Sequence, residues 1–153
     1  MLNYKSPINT EIKHNDISIK EVSPIMKLNL RGKKREFFTA VGKHLDMILP
    51  IEANTSSSSS KLTSIWLSPD EWMIISNDIT EKDTNKYILE ENLRNSISKT
   101  NLGAVIDVTD HFVMLELEGT NIYELFSSEQ SKTYVVLPNL NLIVLSSITE
   151  NVK

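Results

Sequence analysis

NTSSSSSKLTSIWLSPDEWMIIS, residues 54–76, is the stretch whose reading decides the fold. It carries both tryptophans (Trp66 and Trp72), a run of five serines at 56–60, and a helix-start pattern between two strand-like segments. Ser68-Pro69-Asp70-Glu71 matches a capping box with proline at the first helical position. The Ser68 hydroxyl can accept from the backbone N–H of Glu71, and the Glu71 carboxylate can reach back to the N–H of Ser68. Apolar residues resume at Trp72, so the pattern predicts one helical turn joining a strand at 61–67 to a strand at 72–76. Both strands read as near-continuous apolar runs, as expected of strands covered on two faces. Composition alone makes 56–60 a flexible polar loop.

Upstream, Met26, Leu28 and Leu30 alternate with Lys27, Asn29 and Arg31, which predicts a half-buried strand at 25–31. Ile17, Ile19 and Val22 give a weaker strand signal at 16–22, and residues 1–15 are polar enough to be an arm. After Gly32 the period changes. Phe37, Val41, Leu45 and Ile48 recur at helical spacing, with Phe38 and His44 beside the stripe, predicting a helix over 33–48 that Pro50 stops. Gly42 weakens it by roughly 1 kcal/mol relative to alanine. Arg31, Lys33, Lys34, Arg35 and Lys43 against Glu36 give a local balance of 5 − 1 = +4. That patch is either a solvated helix start or a surface that meets an acidic partner, and the helix dipole mildly opposes cations in a first turn.

Downstream, Thr80 followed by Asp83 predicts a helix over 81–99, with Leu89, Leu93 and Ile97 on one face and Lys86–Glu90 and Glu90–Arg94 paired on the other. Residues 104–108 read as a buried strand, Thr109-Asp110-His111 as a turn, and Val113, Leu115 and Leu117 as the inward side of a strand ending at Gly119. Asn121 can cap a short helix at 122–128. The order of elements predicts an α+β fold, a mostly antiparallel sheet with two longer helices.

At 153 residues and 40% hydrophobic, the chain reads as one domain able to bury a core. Its net charge of −4 argues against a nucleic-acid binder. With no cysteine there is no disulfide framework, thiolate nucleophile or cysteine-ligated metal, in keeping with a cytoplasmic protein. The N-terminus lacks the apolar segment of a secretory signal, and the longest apolar tract, 134–148, is broken by Pro138, Asn139 and Asn141; no membrane partner is expected. His14, His44 and His111 share no ligand-like spacing with carboxylates, and His44 reads as a packed side chain rather than a ligand. Only Asp107, Asp110 and His111 resemble an acid/base grouping, although a strand end, a turn and a surface position account for each. No nucleophile elbow, dinucleotide fingerprint or phosphate-binding loop is present.

The stretch LRGKKREFFTAVGKHLDMILPIEANTSSSSSKLTSIWLSPDEWMII resembles the gamma subunit of heterotetrameric sarcosine oxidase, a family that reads L-R-G, A-V-G, L-P-x-x-x-N-T-S-S-S and L-W-L-G-P-D-E-W-L-I-V in this order. AVIDVTDHFVMLELEGTNIYELF resembles its A-V-V-D-V-S-D block and the later L-x-G-x-x-A-x-x-L-L block. The resemblance runs from Leu28 to Phe126, interrupted at 81–99. It implies a fold related to the folate-binding domain of glycine-cleavage T-protein. It also implies a complex that oxidatively demethylates sarcosine to glycine, passing the one-carbon unit to tetrahydrofolate or releasing formaldehyde, with hydrogen peroxide. The partners would be the alpha, beta and delta subunits, with FAD, FMN, NAD and tetrahydrofolate belonging to the larger alpha and beta subunits. No catalytic, cofactor-binding or metal residue carries over to this chain. Asn54, Thr55, Ser56, Pro69, Asp70, Glu71, Trp72, Asp107 and Asp110 carry over as family signature, structural or interfacial. Placed inside that signature, the serine run is expected to be ordered, since its hydroxyls can bond nearby backbone. Ser68 stands where the family has glycine, and 129–153 replaces its C-x-Q-T and R-S-F-A-x-Y blocks. The single domain 1–153 is thus an arm (1–15), a family-like core (16–128) and a divergent tail (129–153). The tail is expected either to supply a strand pair around Pro138-Asn139 or to mark a truncated member. The alternative functions are a stand-alone folate-binding, aminomethyltransferase-like protein and a non-functional remnant.

Overall fold

The computed structural model describes residues 11–14, 17–22, 25–76, 82–83, 86–119, 134–135 and 143–147. In chain order these hold β1 (Ile12–His14), β2 (Ile17–Glu21), β3 (Lys27–Gly32), α1 (Arg35–Leu45), β4 (Ser56–Ser58), β5 (Leu62–Ser68) and β6 (Glu71–Ser76). Next come β7 (Lys82–Asp83), β8 (Lys86–Tyr87), α2 (Ile88–Leu93) continuing into a π turn (Arg94–Ser98), β9 (Gly103–Asp107) and a 3-10 turn (Thr109–His111). The last strands are β10 (Phe112–Gly119), β11 (Tyr134–Val135) and β12 (Ile143–Ser147). Every described pairing is antiparallel, so the fold is α+β as expected. The chain divides into two compact units, Pro24–Asp110 and a second built from Met1–Ser23 with His111–Lys153.

The first unit contains a sheet of order β4-β5-β6-β3-β9. In the β5–β6 pair Trp66 stands opposite Trp72 and Ser68 opposite Glu71, which leaves only Pro69 and Asp70 in the turn. The helical turn expected at 68–71 does not form. Strand pairing runs up to the turn itself, and the partners that a capping box would use are engaged elsewhere. Ser68 Oγ donates to Asp70 Oδ1 at 3.0 Å, and Glu71 Oε1 accepts from Asn29 Nδ2 on β3 at 2.8 Å. A register irregularity between Trp66 and Ser68 absorbs the odd residue, as a β-bulge does.

On β3, Met26 (just before it), Leu28 and Leu30 are buried as expected. Lys27, on the nominally wet side, is buried too. Its ammonium donates to the carbonyls of Ile25 and Thr109 at 3.2 Å each, and its backbone N–H donates to Thr109 Oγ1 at 3.0 Å. The chain at 109 thus covers the start of the strand.

Helix α1 buries Phe37, Val41 and Leu45. It ends three residues before the expected limit of 48, because Asp46 turns left-handed (φ 52°) and its N–H bonds to Gly42 O at 3.0 Å. Ile48, the fourth member of the predicted stripe, is therefore 86% exposed. Gly32 and Gly103 face each other across β3 and β9. A Cβ on Gly32 would collide with the Phe37 ring, and one on Gly103 with the carbonyl oxygen of Arg31. These two glycines let the helix lie close over the sheet.

The predicted helix at 81–99 begins late. Lys82–Asp83 pairs with Lys86–Tyr87, and α2 starts at Ile88. Lys86 lies in that hairpin rather than on the helix, and the Glu90–Arg94 pair forms at 2.8 Å. Leu93 and Ile97 are buried and Leu89 packs against them. β9, expected to be covered on both faces, is an edge strand that buries Val105 and leaves Ile106 exposed. Phe37, Trp72, Leu30, Ile74, Leu93 and Ile97 form the centre of one core.

The second unit has the antiparallel order β1-β2-β10-β12-β11. β10 ends at Gly119 as expected, but Met114 and Leu117 are the residues it buries, so strict alternation of 113, 115 and 117 fails. β11 and β12 are the strand pair anticipated for the tail. Of the arm expected at 1–15, residues 11–14 are described and Ile12–His14 forms β1; the rest of it, the Thr80 cap, the short helix at 122–128 and the Pro138-Asn139 turn lie outside the described residues.

Candidate functional site

Five of the nine signature residues hold the fold through contacts that can be named. Asp70 closes the β5–β6 turn. Its backbone carbonyl accepts from Gly32 N–H at 3.0 Å and its carboxylate meets Lys33 Nζ at 3.4 Å. The Ser68 hydroxyl holds the Asp70 carboxyl below its ordinary value; burial opposes it, and the Lys33 ammonium and Arg31 add to the lowering. Glu71 receives Asn29 and lies 3.9 Å from Arg31 Nε. Trp72 is 1% exposed, lies tilted at 5.8 Å from Phe37 and edge-on at 5.4 Å from Phe38, and donates Nε1–H to Pro50 O at 2.7 Å. That bond fixes the loop after α1. Thr55 Oγ1 donates to Glu52 O at 2.7 Å, while Thr55 O accepts from Trp66 N–H at 3.0 Å. Asp107 Oδ1 accepts from Thr109 N–H at 2.9 Å, fixing the end of β9.

The remaining four are Asn54, Ser56, Pro69 and Asp110. Asn54 takes the left-handed turn before β4 (φ 61°), Ser56 pairs with Ile65, Pro69 sits in the hairpin turn, and Asp110 is exposed. The nine do not converge. They sit at the two edges and one end of the sheet, and the Asp107, Asp110 and His111 grouping supplies a strand end and two exposed side chains.

The serine run is ordered by its own hydroxyls. Ser57 Oγ donates to Ile48 O at 2.7 Å, Ser58 Oγ meets Thr63 Oγ1 at 3.1 Å, and Ser59 Oγ accepts from Leu62 N–H at 3.2 Å. Composition misleads here because the bonds reach backward to the loop after α1 and forward to β5.

A groove of about 460 Å³ runs along α1, lined by Arg35, Glu36, Thr39, Ala40, Lys43 and His44, with Ser96 at one end. Two helical stripes make it: Arg35, Thr39 and Lys43 at i, i+4, i+8, and Glu36, Ala40 and His44 beside them. The π turn brings Ser96 to His44 Nε2 at 2.7 Å. Ser96 Oγ gives its single proton to Asn92 O at 3.0 Å, so it accepts from the imidazole, and His44 carries a proton on Nε2. Arg35, Lys43 and His44 were legible in the sequence. Thr39, Ala40 and Ser96 were not, because no local pattern reveals that a π turn faces α1. Among the described residues no carboxylate pairs with Lys34, Arg35 or Lys43. Ala40 is the one apolar residue among those that line the groove. No group of three His, Asp or Glu side chains among the described residues could hold a metal, and no described helix is long and apolar enough to cross a membrane.

Curated proteins give no match in sequence. In structure, the chain is similar to a chain of heterotetrameric sarcosine oxidase from Corynebacterium sp. U-96, solved in complex with pyrrole 2-carboxylate, at a TM-score of 0.63 and 20% identity. The match covers 78% of this chain and 58% of that one, and it supports the fold. The family model "Sarcosine oxidase, gamma subunit family" matches residues 32–149, taking in most of the sheet, the groove and the tail strands. The chain belongs to the sarcosine oxidase gamma subunit family.

Proposed function

We propose that this chain is an accessory, non-catalytic subunit that binds the larger, cofactor-bearing subunits of a cytoplasmic sarcosine-oxidising complex and supports their assembly. The complex would take sarcosine, water and oxygen to glycine, formaldehyde and hydrogen peroxide, or pass the one-carbon unit to tetrahydrofolate. FAD, FMN, NAD and folate would reside in the larger alpha and beta partners. One observation carries the reading: the signature side chains Asp70, Glu71, Trp72, Thr55 and Asp107 are engaged with this chain's own backbone and neighbours rather than gathered round a cavity. A catalytic set has to converge on one reacting centre.

Co-expression with the three partner subunits tests it. The expected result is a stable complex containing this chain, together with no oxidase activity and no flavin absorbance in the chain alone. A chain that stays monomeric beside its partners overturns the proposal. Saturable tetrahydrofolate binding by the isolated chain would point instead to a folate-dependent enzyme.

A further inference from the structure

The groove on α1 gathers positive charge on a chain that is acidic as a whole. The whole chain carries −4, yet residues 31–43 carry +4. Two of those cations are neutralised within the fold, Arg31 by Glu71 and Lys33 by Asp70. Arg35 and Lys43 are exposed, line the groove, and have no carboxylate partner among the described residues. Arg35 occupies the first helical position, where the helix dipole disfavours a cation, and Lys34 at the N-cap makes no side-chain capping bond. Helix stability therefore does not explain Arg35, whereas Lys43, in the last turn, suits the dipole.

We infer that this groove is the seat of an extended acidic segment of a partner subunit, which deepens, and rests on, the subunit reading above. Arg35 and Lys43 are eight residues apart, roughly 12 Å along the helix axis at 1.5 Å per residue. One small anion does not span that separation. An extended segment can, with carboxylates about four residues apart, since four residues span roughly 13 Å. Ala40 lies between the two cations, and its short side chain leaves room for a backbone to approach. Glu36, beside Arg35, repels any further carboxylate at that end and so sets the register. The Ser96 bond holds the His44 ring at the far end, and Thr39 supplies a hydroxyl midway. Opposite charge at this spacing provides steering and orientation, and salt weakens it.

The test uses the full chain with its three partner subunits, in wild type, in R35E/K43E and in a K61E control, whose exposed lysine lies after the serine run. Wild type and K61E are expected to assemble equally. R35E/K43E is expected to lose roughly tenfold or more in affinity, the wild-type association rate to fall steeply between low and physiological salt, and the R35E/K43E rate to lose that dependence. The melting temperature of R35E/K43E is expected to stay close to wild type, because the helix dipole favours Arg35→Glu in the first turn and opposes Lys43→Glu in the last. Assembly of R35E/K43E with wild-type affinity overturns the groove proposal and leaves the subunit reading intact. Failure of wild type to assemble overturns the subunit reading, and the groove proposal with it. Two results in the isolated chain would also overturn it: saturable binding of succinate that R35E/K43E abolishes while its assembly is unchanged, or a dimer of this chain that R35E/K43E dissolves.

Discussion

The hairpin end of the sheet and the exposed face of α1 draw on one basic run, residues 31–43, and use it in opposite ways. At the hairpin end, Arg31 and Lys33 meet Glu71 and Asp70, Asn29 joins Glu71, and Gly32 N–H bonds to the turn carbonyl. Directly behind that turn Trp72 ties the core to Pro50. Charge there is consumed by the fold. On the helix face, Arg35 and Lys43 stand over a groove and pair with no carboxylate among the described residues. The lesson is that a charge run is not one feature. Its two parts separate only when the strand register is known, because the neutralising acids lie some forty residues away in sequence.

Substitutions that act on one region and spare the other can break this contrast. Trp72→Ala should have the largest effect, a loss of about 3–5 kcal/mol in denaturant unfolding, since it empties a fully buried aromatic site. Lys43→Ala should stay within about 0.5 kcal/mol of wild type; equal costs for the two would erase the distinction. Arg35→Glu should raise stability by about 0.3–1 kcal/mol at low salt, measured the same way, because it replaces an opposed charge in the first turn by a favoured one. A loss on that substitution would mean that Arg35 serves the fold after all. The smallest effect is in acid. The Asp70 carboxyl titrates below 3.8 in the folded chain, so its contribution is complete above the unfolded value and disappears as pH falls through the folded one. Asp70→Asn should therefore flatten the acid limb of the stability curve below about pH 4, read from thermal melts across pH. A limb of unchanged slope would show that the Ser68 and Lys33 contacts do not bias the folded state.

Much of the fold was legible because hydrophobic periodicity is local. The buried side of β3, the α1 stripe through Leu45 and the β5 and β6 runs all follow from spacing. The failures came where one local pattern serves two structures. Ser68-Pro69-Asp70-Glu71 satisfies a helix start and a two-residue hairpin turn equally well, and pairing from Leu62–Ser76 to Ser68–Glu71 decided between them. Thr80 with Asp83 reads as a cap, yet Lys82–Asp83 finds a partner in Lys86–Tyr87 before any helix begins. Ile48 matched the helical period, but the left-handed turn at Asp46 had already ended the helix. Of the groove, the charges were visible and the groove itself was not. It exists only where the π turn after α2 brings Ser96 to His44.

The serine strand β4 has one more consequence, for keeping the molecule apart from copies of itself. It is the outermost strand on its side of the sheet, only three residues long, and every side chain on it is a hydroxymethyl group. A sheet edge offers unpaired N–H and C=O groups to any passing strand, and aggregation follows when that edge is long and greasy. Here the edge is short and wet, and Ser57 and Ser58 already hold partners inside their own chain. A run that looks like filler in the sequence thus works as a guard against unwanted strand addition.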